Sequence, residues 1–440
     1  MAYAGGADMA GRRRQILLTR GLGLACAFAV LLALAAACTD SLPADLKPML
    51  LRDASAVEAS PQSDAAIDTG AAGASDSQSD AEVVDAALAP VALGVTPIAE
   101  DAADAAPSDQ TLAELETIAA GSRARSLVVR LDALLDATGA PSDATFDDLA
   151  TTAALYRARG DSLLFSIALV DRSEDARPAE LQSSWNSPEL ASTIEAVIDR
   201  AYDTFGSELR YLSFGTEVDR FLSLASEQDR SAFSSLVESC LNYARTRSKR
   251  LPSTAVGVTF SAQALLDPPL AEITQLLSRS DAAIVTDYPL DANFHAQSVS
   301  AAIADLEQLS DKVEQGNPNQ PLVIEELGYP SATSVQSSPE QQQKFYQALF
   351  DALASRRARF PFVNVYAVRD SDESECERQA ATFGGAGDAL LIAARCSLGL
   401  KTADAAEAGD ASSGVAASAD PCAKPAWGTV VDALSSFGRP

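Results

Sequence analysis

Apolar runs of strand length alternate with amphipathic stretches of helical length from about residue 91 to residue 437. This alternation predicts repeated βα units on a parallel sheet. The predicted strands are Val91–Pro97, Leu127–Leu131, Ser162–Val170, Leu209–Phe214, Ala255–Phe260, Ala282–Asp287, Pro321–Ile324 and Val363–Val368. The predicted helices lie near 108–120, 145–158, 187–205, 229–247, 268–279, 297–314, 338–357 and 426–437.

Eight alternations fit a closed (β/α)8 barrel of the α/β class, a TIM barrel, better than an open doubly wound sheet. We assign residues 90–440 to this barrel. Residues 401–421 are mostly Ala, Asp, Gly and Ser without periodicity, which predicts a disordered insertion. No Gly-x-Gly-x-x-Gly follows the first predicted strand and no Walker loop occurs, so nucleotide binding has no support.

The segment before the barrel has the composition of an export signal and a tether. Arginines at positions 12–14 precede an apolar stretch from Gly21 to Ala37 that is short for a stable membrane span. We interpret residues 1–37 as a signal peptide. Residues 38–89 are rich in Ala, Ser and Asp, which predicts a disordered acidic tether.

The predicted signal ends in Leu34-Ala-Ala-Ala-Cys38, which resembles the bacterial lipobox. By that resemblance Cys38 becomes the lipidated N-terminal residue, and simple secretion is the alternative. The expected location is therefore the cell envelope, at the periplasmic or surface face of the outer membrane, with a lipid as the membrane anchor.

Charge and histidine content restrict the chemistry. The net charge of −28 at pH 7 repels polyanions, so nucleic acid is excluded as a ligand class. The single histidine, His295, argues against Ser-His-Asp catalysis and against histidine-rich metal sites. We predict no metal and no cofactor, and we expect a monomer.

Four cysteines remain beyond the predicted signal and lipid site, in an oxidising compartment. We favour a Cys396–Cys422 disulfide because it would join the two ends of the insertion, and Cys376–Cys396 is the alternative. Cys240 lies on an apolar helical face, which predicts a buried free thiol.

Two glutamates end predicted strands. Glu217 follows the fourth strand and Glu326 follows the seventh. Because the carboxyl ends of parallel barrel strands converge over the barrel axis, we expect these carboxyl groups to lie close together. Hydrolysis of a glycosidic bond needs such a pair: one protonates the leaving oxygen, and the other attacks the sugar or activates water.

The residues around both glutamates resemble the clan A glycoside hydrolases. Gly215-Thr-Glu-Val-Asp219 is similar to the Gly-Asn-Glu-Val pattern of that clan, and Glu326-Leu-Gly-Tyr-Pro-Ser331 to its Glu-x-Gly-Tyr/Trp-Pro-Ser pattern. The similarity is closest to β-glucanase-like and galactanase-like members and covers about residues 91–437. It implies a retaining β-glycosidase with Glu217 as acid/base and Glu326 as nucleophile.

The resemblance also implies roles for three further residues. The clan usually has Asn before the acid/base, where its amide holds the sugar 2-hydroxyl, and Thr216 occupies that position here. Tyr288, after the sixth predicted strand, would donate a hydrogen bond to the nucleophile, with a ring packed under a loop as the alternative. Arg130, at the end of the second, would support the nucleophile electrostatically, with an ion pair to Asp132 as the alternative.

The other substrate-binding candidates lie in loops at the same end of the predicted strands. Asp219 and Asp287 would bind sugar hydroxyls, with helix caps or ion pairs as the alternative. Trp185 would either stack on a sugar ring or anchor its loop. Asp370 would line the cleft or form an ion pair at its edge.

These features support one leading hypothesis and two alternatives. The leading hypothesis is a retaining hydrolase acting on a β-linked polysaccharide or oligosaccharide. The first alternative is a catalytically inactive carbohydrate-binding or scaffold lipoprotein on the same barrel. The second is an acidic, tethered spacer of the cell envelope that has no ligand.

Overall fold

The structure is a computed structural model that describes residues 91–96, 121–182, 184–247, 251, 253–402 and 422–437. The predicted signal, the tether, Cys38 and the helix near 108–120 lie outside the described residues, as does nearly all of the predicted insertion. In the described ranges, none of the helices combines the length and the apolar character that a membrane crossing requires.

The strands confirm all eight predicted positions. They are β1 (Ala92–Val95), β2 (Ala124–Arg130), β3 (Ser162–Asp171), β4 (Glu174–Asp175), β5 (Leu209–Thr216), β6 (Ala255–Gly257), β7 (Thr259–Ser261), β8 (Ala283–Asp287), β9 (Leu322–Leu327) and β10 (Phe362–Val365). Among the strands in the described ranges, only β4 is outside the predicted set, and it pairs antiparallel with the end of β3.

The parallel strands close into a barrel. One sheet has the order β1-β10-β9-β8-β7 and the other the order β2-β3-β5-β6. β6 and β7 are two halves of one barrel strand interrupted at Val258. The two sheets also meet between β1 and β2, where the N–H of Arg123 donates to Leu93 O at 2.9 Å. A Cβ at position 94 would collide with Ala124 O, so glycine at this position lets β1 approach β2.

Helices surround the barrel. They are α1 (Asp143–Arg159), α2 (Pro188–Phe205), α3 (Val218–Leu224), α4 (Glu227–Thr246), α5 (Ala262–Leu266), α6 (Ala271–Arg279), α7 (Val299–Gly316), α8 (Pro339–Ser355), α9 (Glu373–Thr382), α10 (Ala389–Cys396) and α11 (Pro425–Phe437). Serine caps begin α1, α2, α4, α7 and α8, each accepting from a backbone N–H three residues later. The sequence did not predict α3, α5, α9 and α10.

The barrel interior changes from apolar to polar towards the carboxyl ends of the strands. Its floor is a separate apolar cluster that draws side chains from Ala92, Ala124, Leu164, Tyr211, Ile284, Val323 and Phe362. Two residues further along, and so on the same strand face, are Ser166, Ser213, Glu325 and Asn364. Ser166 donates to the Glu325 carboxylate across the barrel, and Asn364 donates to Thr96 Oγ1 at 2.6 Å.

A helical hairpin follows the last barrel strand. It comprises α9 and α10, residues 373–396, and we refer to it as the rim hairpin. A disulfide joins Cys376 on α9 to Cys396 on α10, with a Cα separation of 5.4 Å. The favoured Cys396–Cys422 pairing is therefore wrong, because the hairpin brings the two helices together. Cys240 is a buried free thiol, as predicted. Cys422 is also buried.

Candidate active site

A sharp backbone turn at the end of β5 places Glu217. Gly215 has φ +82° and Glu217 itself is left-handed at φ +45°, directly before α3 begins at Val218. A Cβ on Gly215 would collide with the Val218 side chain, so this turn requires glycine at that position. The turn directs the Glu217 carboxylate over the barrel, where the residue is only 1% exposed.

Both carboxylate oxygens of Glu217 accept hydrogen bonds. Thr286 on β8 donates its hydroxyl to Oε1 at 2.8 Å, and Arg220 on α3 donates Nε to Oε2 at 2.6 Å. Burial opposes ionisation of this carboxyl, but the charges of Arg220 and Arg172 and the two hydrogen bonds outweigh it and lower the pKa of Glu217. Glu217 is therefore held as a carboxylate.

Glu326 lies on β9, where a bulge interrupts the regular pairing. Ile324 pairs with Val285, but the next paired residue is Glu326, opposite Thr286, so Glu325 is inserted between them. Strict alternation along a strand would place Glu325 on the opposite face from Glu326, and the bulge interrupts that alternation. Glu325 is buried and bonded to Ser166 across the barrel, below the rim.

The Glu326 carboxylate is 2% exposed and contacts Tyr288 and Arg172. The Tyr288 hydroxyl donates a hydrogen bond to Oε2, which is the contact that the clan resemblance implies. Nη2 of Arg172 lies 3.9 Å from the same oxygen. A donor and a positive charge at this oxygen both stabilise the ionised form of the carboxyl group.

Arg172 connects the two glutamates. It follows β3 in a left-handed conformation, with φ +57°, and its side chain is 2% exposed. Its guanidinium bonds Asp171 at 2.8 Å and lies 3.9 Å from Glu217 and 3.9 Å from Glu326. Sequence reasoning missed Arg172, although its position at the end of the third barrel strand was an available signal.

A cavity of about 490 Å³ opens beside this cluster. Glu217, Thr286, Asp287 and Tyr288 line it from the barrel, and Arg220 lines it from α3. The rim hairpin contributes Phe383, Leu391, Ala394 and Arg395. Cavities of this size and composition are typical of small-molecule and sugar sites.

Asp287 lines the cavity, as expected for a substrate-binding candidate. Burial and the nearby charge of Asp305 raise the pKa of Asp287 to about 7. Near neutral pH its carboxyl group is therefore divided between the neutral and ionised forms, so it can donate or accept a hydrogen bond.

Phe383 stands among three arginines at the cavity wall. The guanidinium carbons of Arg172, Arg220 and Arg395 lie 4.5, 4.7 and 5.0 Å from the centre of its ring. The rim hairpin is also fixed to the barrel by the Ser173 hydroxyl, which donates to Thr382 O at 2.6 Å. The hairpin therefore packs directly against the arginines that contact the two glutamates.

Two predicted sugar-binding residues do not line the cavity. Thr216 is fully buried and, within the described part of the chain, its hydroxyl has no hydrogen-bond partner. Asp219 is buried and accepts from the N–H and hydroxyl of Ser261, at 2.7 and 2.8 Å. Asp219 therefore fixes the start of α5, which is the capping alternative.

Trp185 and Arg130 do not line the cavity either, and each contacts other residues of the protein. Trp185 is buried against Phe221 and Phe233, with the Arg177 guanidinium 3.5 Å from its ring centre, so it anchors its loop instead of facing a sugar. Arg130 pairs with Asp132 at 3.2 Å and with Glu174 at 3.1 Å, which is the ion-pair alternative. Arg172 occupies the place beside Glu326 that the resemblance implied for Arg130.

Asp370 forms an ion pair at the edge of the barrel. Lys424 Nζ donates to Asp370 Oδ1 at 2.7 Å and the Gly399 N–H donates at 2.9 Å. His295 lies half-buried near Asp291, at 3.6 Å. Among the residues that the structure describes, no three His, Cys, Asp or Glu side chains are grouped so that they could hold a metal ion.

The chain matches no family model and no curated protein significantly. Solved structures are similar to it. GH5_18 from Bifidobacterium longum subsp. longum has a TM-score of 0.56 at 12% identity, over 79% of each chain. A GH5_18 variant from Streptomyces cattleya, in complex with Manβ1-4GlcNAc, has 0.55 at 15%, over 78% of this chain and 80% of that chain.

An exo-β-1,4-mannosidase from an Opitutaceae bacterium has a TM-score of 0.55 at 13% identity, over 79% of this chain and 59% of that chain. At these identities the likeness concerns the fold alone. The comparisons therefore show that this chain has the barrel fold that these glycoside hydrolases share.

Proposed function

We propose that the protein is a glycoside hydrolase that cleaves a β-linked glycan with retention of the anomeric configuration. The observation that carries this proposal is the pair of buried glutamates that end the fourth and seventh barrel strands and contact one guanidinium group, that of Arg172. Glu217 lines a cavity at the end of the barrel where reactive groups gather in this architecture. Glu326 does not line this cavity, but it accepts a hydrogen bond from Tyr288, which does.

The surroundings of each carboxyl group suggest its role. Glu326, with the Tyr288 donor and the Arg172 charge, is prepared to attack the anomeric carbon as a carboxylate. Once Glu217 has taken up a proton from solvent, it gives that proton to the departing glycosidic oxygen as that bond breaks. The ionised Glu217 then removes a proton from the water that cleaves the glycosyl–Glu326 ester, which restores a protonated Glu217 and an ionised Glu326.

The fold neighbours indicate which sugars to test first. One is in complex with Manβ1-4GlcNAc and another is named an exo-β-1,4-mannosidase. Short β-mannosides are therefore the first candidates here, followed by the β-glucans and galactans that the sequence motifs favour. A cavity of about 490 Å³ holds a short stretch of such a chain.

The test compares wild type with Glu326→Gln on aryl β-mannoside, β-glucoside and β-galactoside, on Manβ1-4GlcNAc and on β-glucans. We expect release by wild type and a loss of about 10³-fold or more in the variant, as for removal of a reacting carboxyl group. Glu340→Gln, on an exposed helix end, is the matched control. Proton NMR of the first product should show the same anomeric configuration as the substrate. A product with the inverted anomeric configuration would refute the retaining mechanism.

A catalytically inactive carbohydrate-binding barrel is the second candidate. Two observations favour it: both oxygens of Glu217 are occupied, and Thr216 is buried away from the cavity where the clan places an amide. Equal background release by wild type and Glu326→Gln, together with binding on a glycan array, would select this function over hydrolysis.

We further propose that the chain is exported and held at the cell envelope by a lipid on Cys38. The support is the basic and apolar N-terminal pattern and the Leu34-Ala-Ala-Ala-Cys38 sequence. Palmitate labelling in an expressing bacterium should mark wild type and leave Cys38→Ser unlabelled. An unlabelled wild-type protein would instead support simple secretion.

A further inference from the structure

Each carboxyl oxygen of Glu217 already accepts one hydrogen bond from a neighbouring side chain. Oε1 accepts from the Thr286 hydroxyl and Oε2 accepts from Arg220 Nε. If Glu217 is the acid of the proposed hydrolysis, one oxygen must carry a proton and point it at the glycosidic oxygen. A hydrogen-bond donor stabilises the ionised carboxyl group, most strongly when the donor is charged, so protonation is favoured once one of the two partners leaves.

Burial decides which partner can leave. Thr286 is 2% exposed and belongs to β8, so its hydroxyl is fixed by the barrel itself. The Arg220 side chain is 40% exposed, lines the cavity and extends from the short helix α3. Thr286 can remain on Oε1, since the unprotonated oxygen of a neutral carboxyl group still accepts a hydrogen bond.

Arg220 also has a second contact that can retain it after it leaves Glu217. Its guanidinium carbon lies 4.7 Å from the centre of the Phe383 ring on the rim hairpin. An arginine over an aromatic face is stabilised without any carboxylate partner. Arg172 has no comparable freedom, because it is 2% exposed and is bonded to Asp171.

We propose that Arg220 is a positioning residue that acts through Glu217. In the empty site it covers the carboxylate and keeps it ionised. A sugar that enters the cavity displaces the guanidinium from Glu217 while its contact with Phe383 is kept, and Glu217 then takes up one solvent proton, which it transfers to the leaving oxygen. This inference rests on the proposed function, and it adds a substrate-controlled step that prepares the acid.

The expected signature is a change in pH dependence. The basic limb of a kcat/KM profile reports loss of the proton from the catalytic acid of the free enzyme. Arg220 lowers the pKa of Glu217, so its removal raises that pKa and moves the basic limb to higher pH. A neighbouring opposite charge typically contributes about one pH unit or more. The acidic limb, assigned to Glu326, should not move.

The experiment compares wild type, Arg220→Gln and Arg220→Lys, with Arg230→Gln as the matched control. Arg230 pairs with Glu272 at 3.2 Å on α4 and α6, outside the cavity lining. Thermal unfolding verifies that each variant folds. Besides the kcat/KM profile, carbon-13 NMR of protein labelled at the glutamate carboxyls gives the titration midpoint of Glu217, assigned through Glu217→Gln.

We expect the basic limb and the Glu217 midpoint to rise together in Arg220→Gln, to rise less in Arg220→Lys, and to stay at wild-type values in Arg230→Gln. A folded Arg220→Gln variant with an unchanged Glu217 midpoint overturns the inference. The NMR titration needs no turnover. If wild type hydrolyses nothing, the proposed function fails, while the effect of Arg220 on Glu217 is still decided.

Discussion

The barrel buries charged side chains at both of its ends, and the two clusters differ in how their charges are balanced. At the carboxyl end of the strands, Arg172 and Arg220 contact Glu217. At the opposite end, Arg125 near the start of β2 is 1% exposed and lies 3.6 Å from Asp161, which directly precedes β3.

Burial and the charge of neighbouring groups shift pKa values at both ends, with opposite results. At the lower end, burial outweighs the attraction of the partner, raising the pKa of Asp161 and lowering that of Arg125. At the upper end, two guanidinium groups outweigh burial and lower the pKa of Glu217. The upper cluster favours a charged carboxyl group beside a cavity, whereas the lower pair is packed near the starts of β2 and β3, with the Arg125 guanidinium over the Tyr156 ring of α1.

The largest expected effect is a loss of stability when the Arg125–Asp161 pair is broken. Asp161→Ala leaves the buried Arg125 without its carboxylate, and loss of one partner of a buried pair costs about 3–5 kcal/mol. Urea unfolding should show this loss, while kcat/KM of the folded fraction remains that of wild type. The double variant Arg125→Met/Asp161→Leu should recover part of the stability. A loss of activity without a loss of stability would contradict the structural role.

The next largest effect is a loss of turnover when Arg172 of the upper cluster is replaced. Arg172→Met removes the group that contacts both glutamates, and loss of one such electrostatic contact typically lowers turnover about 10²-fold. Paired measurements of kcat/KM and urea unfolding should show a smaller loss of stability than for Asp161→Ala. If the stability losses were equal and turnover were unaffected, the two ends would not differ in the way described.

The smallest effect is expected at Thr216. Its hydroxyl is buried without a hydrogen-bond partner in the described structure, so Thr216→Val removes an unsatisfied group and should change the free energy of unfolding by no more than about 1 kcal/mol. Turnover should stay the same. Thr286→Val is the matched comparison, because it removes a hydrogen bond from Glu217 and should alter turnover. A large loss of turnover in Thr216→Val would show that this hydroxyl meets the substrate.

The barrel could be predicted because its strands are buried on both faces. Such strands produce continuous apolar runs like Ser162–Asp171, and glutamates that end such runs necessarily reach the same edge. The rim hairpin could not be predicted in the same way. The α9 sequence is highly charged, and only its packing on the barrel and the Cys376–Cys396 disulfide show where it belongs.

The partners of the glutamates were also beyond sequence reasoning. Arg172 follows β3, Arg220 lies on α3 and Phe383 follows α9, and no local pattern connects these three segments. The bulge at Glu325 depends on the pairing of β9 with both neighbouring strands. Alternation along one strand would instead place Glu325 and Glu326 on opposite faces. Sequence therefore located the two carboxyl groups, and tertiary structure was needed to find what holds them.

The rim hairpin and the barrel strands form different parts of the candidate site. The barrel strands end at Val365, before the hairpin begins, and the hairpin contributes Phe383, Leu391, Ala394 and Arg395 to one side of the cavity. The disulfide links only the two helices of the hairpin. A change within segment 373–396 would therefore alter the cavity wall and, through Phe383, the arginines beside Glu217, while the strands that carry Glu217 and Glu326 keep their sequence.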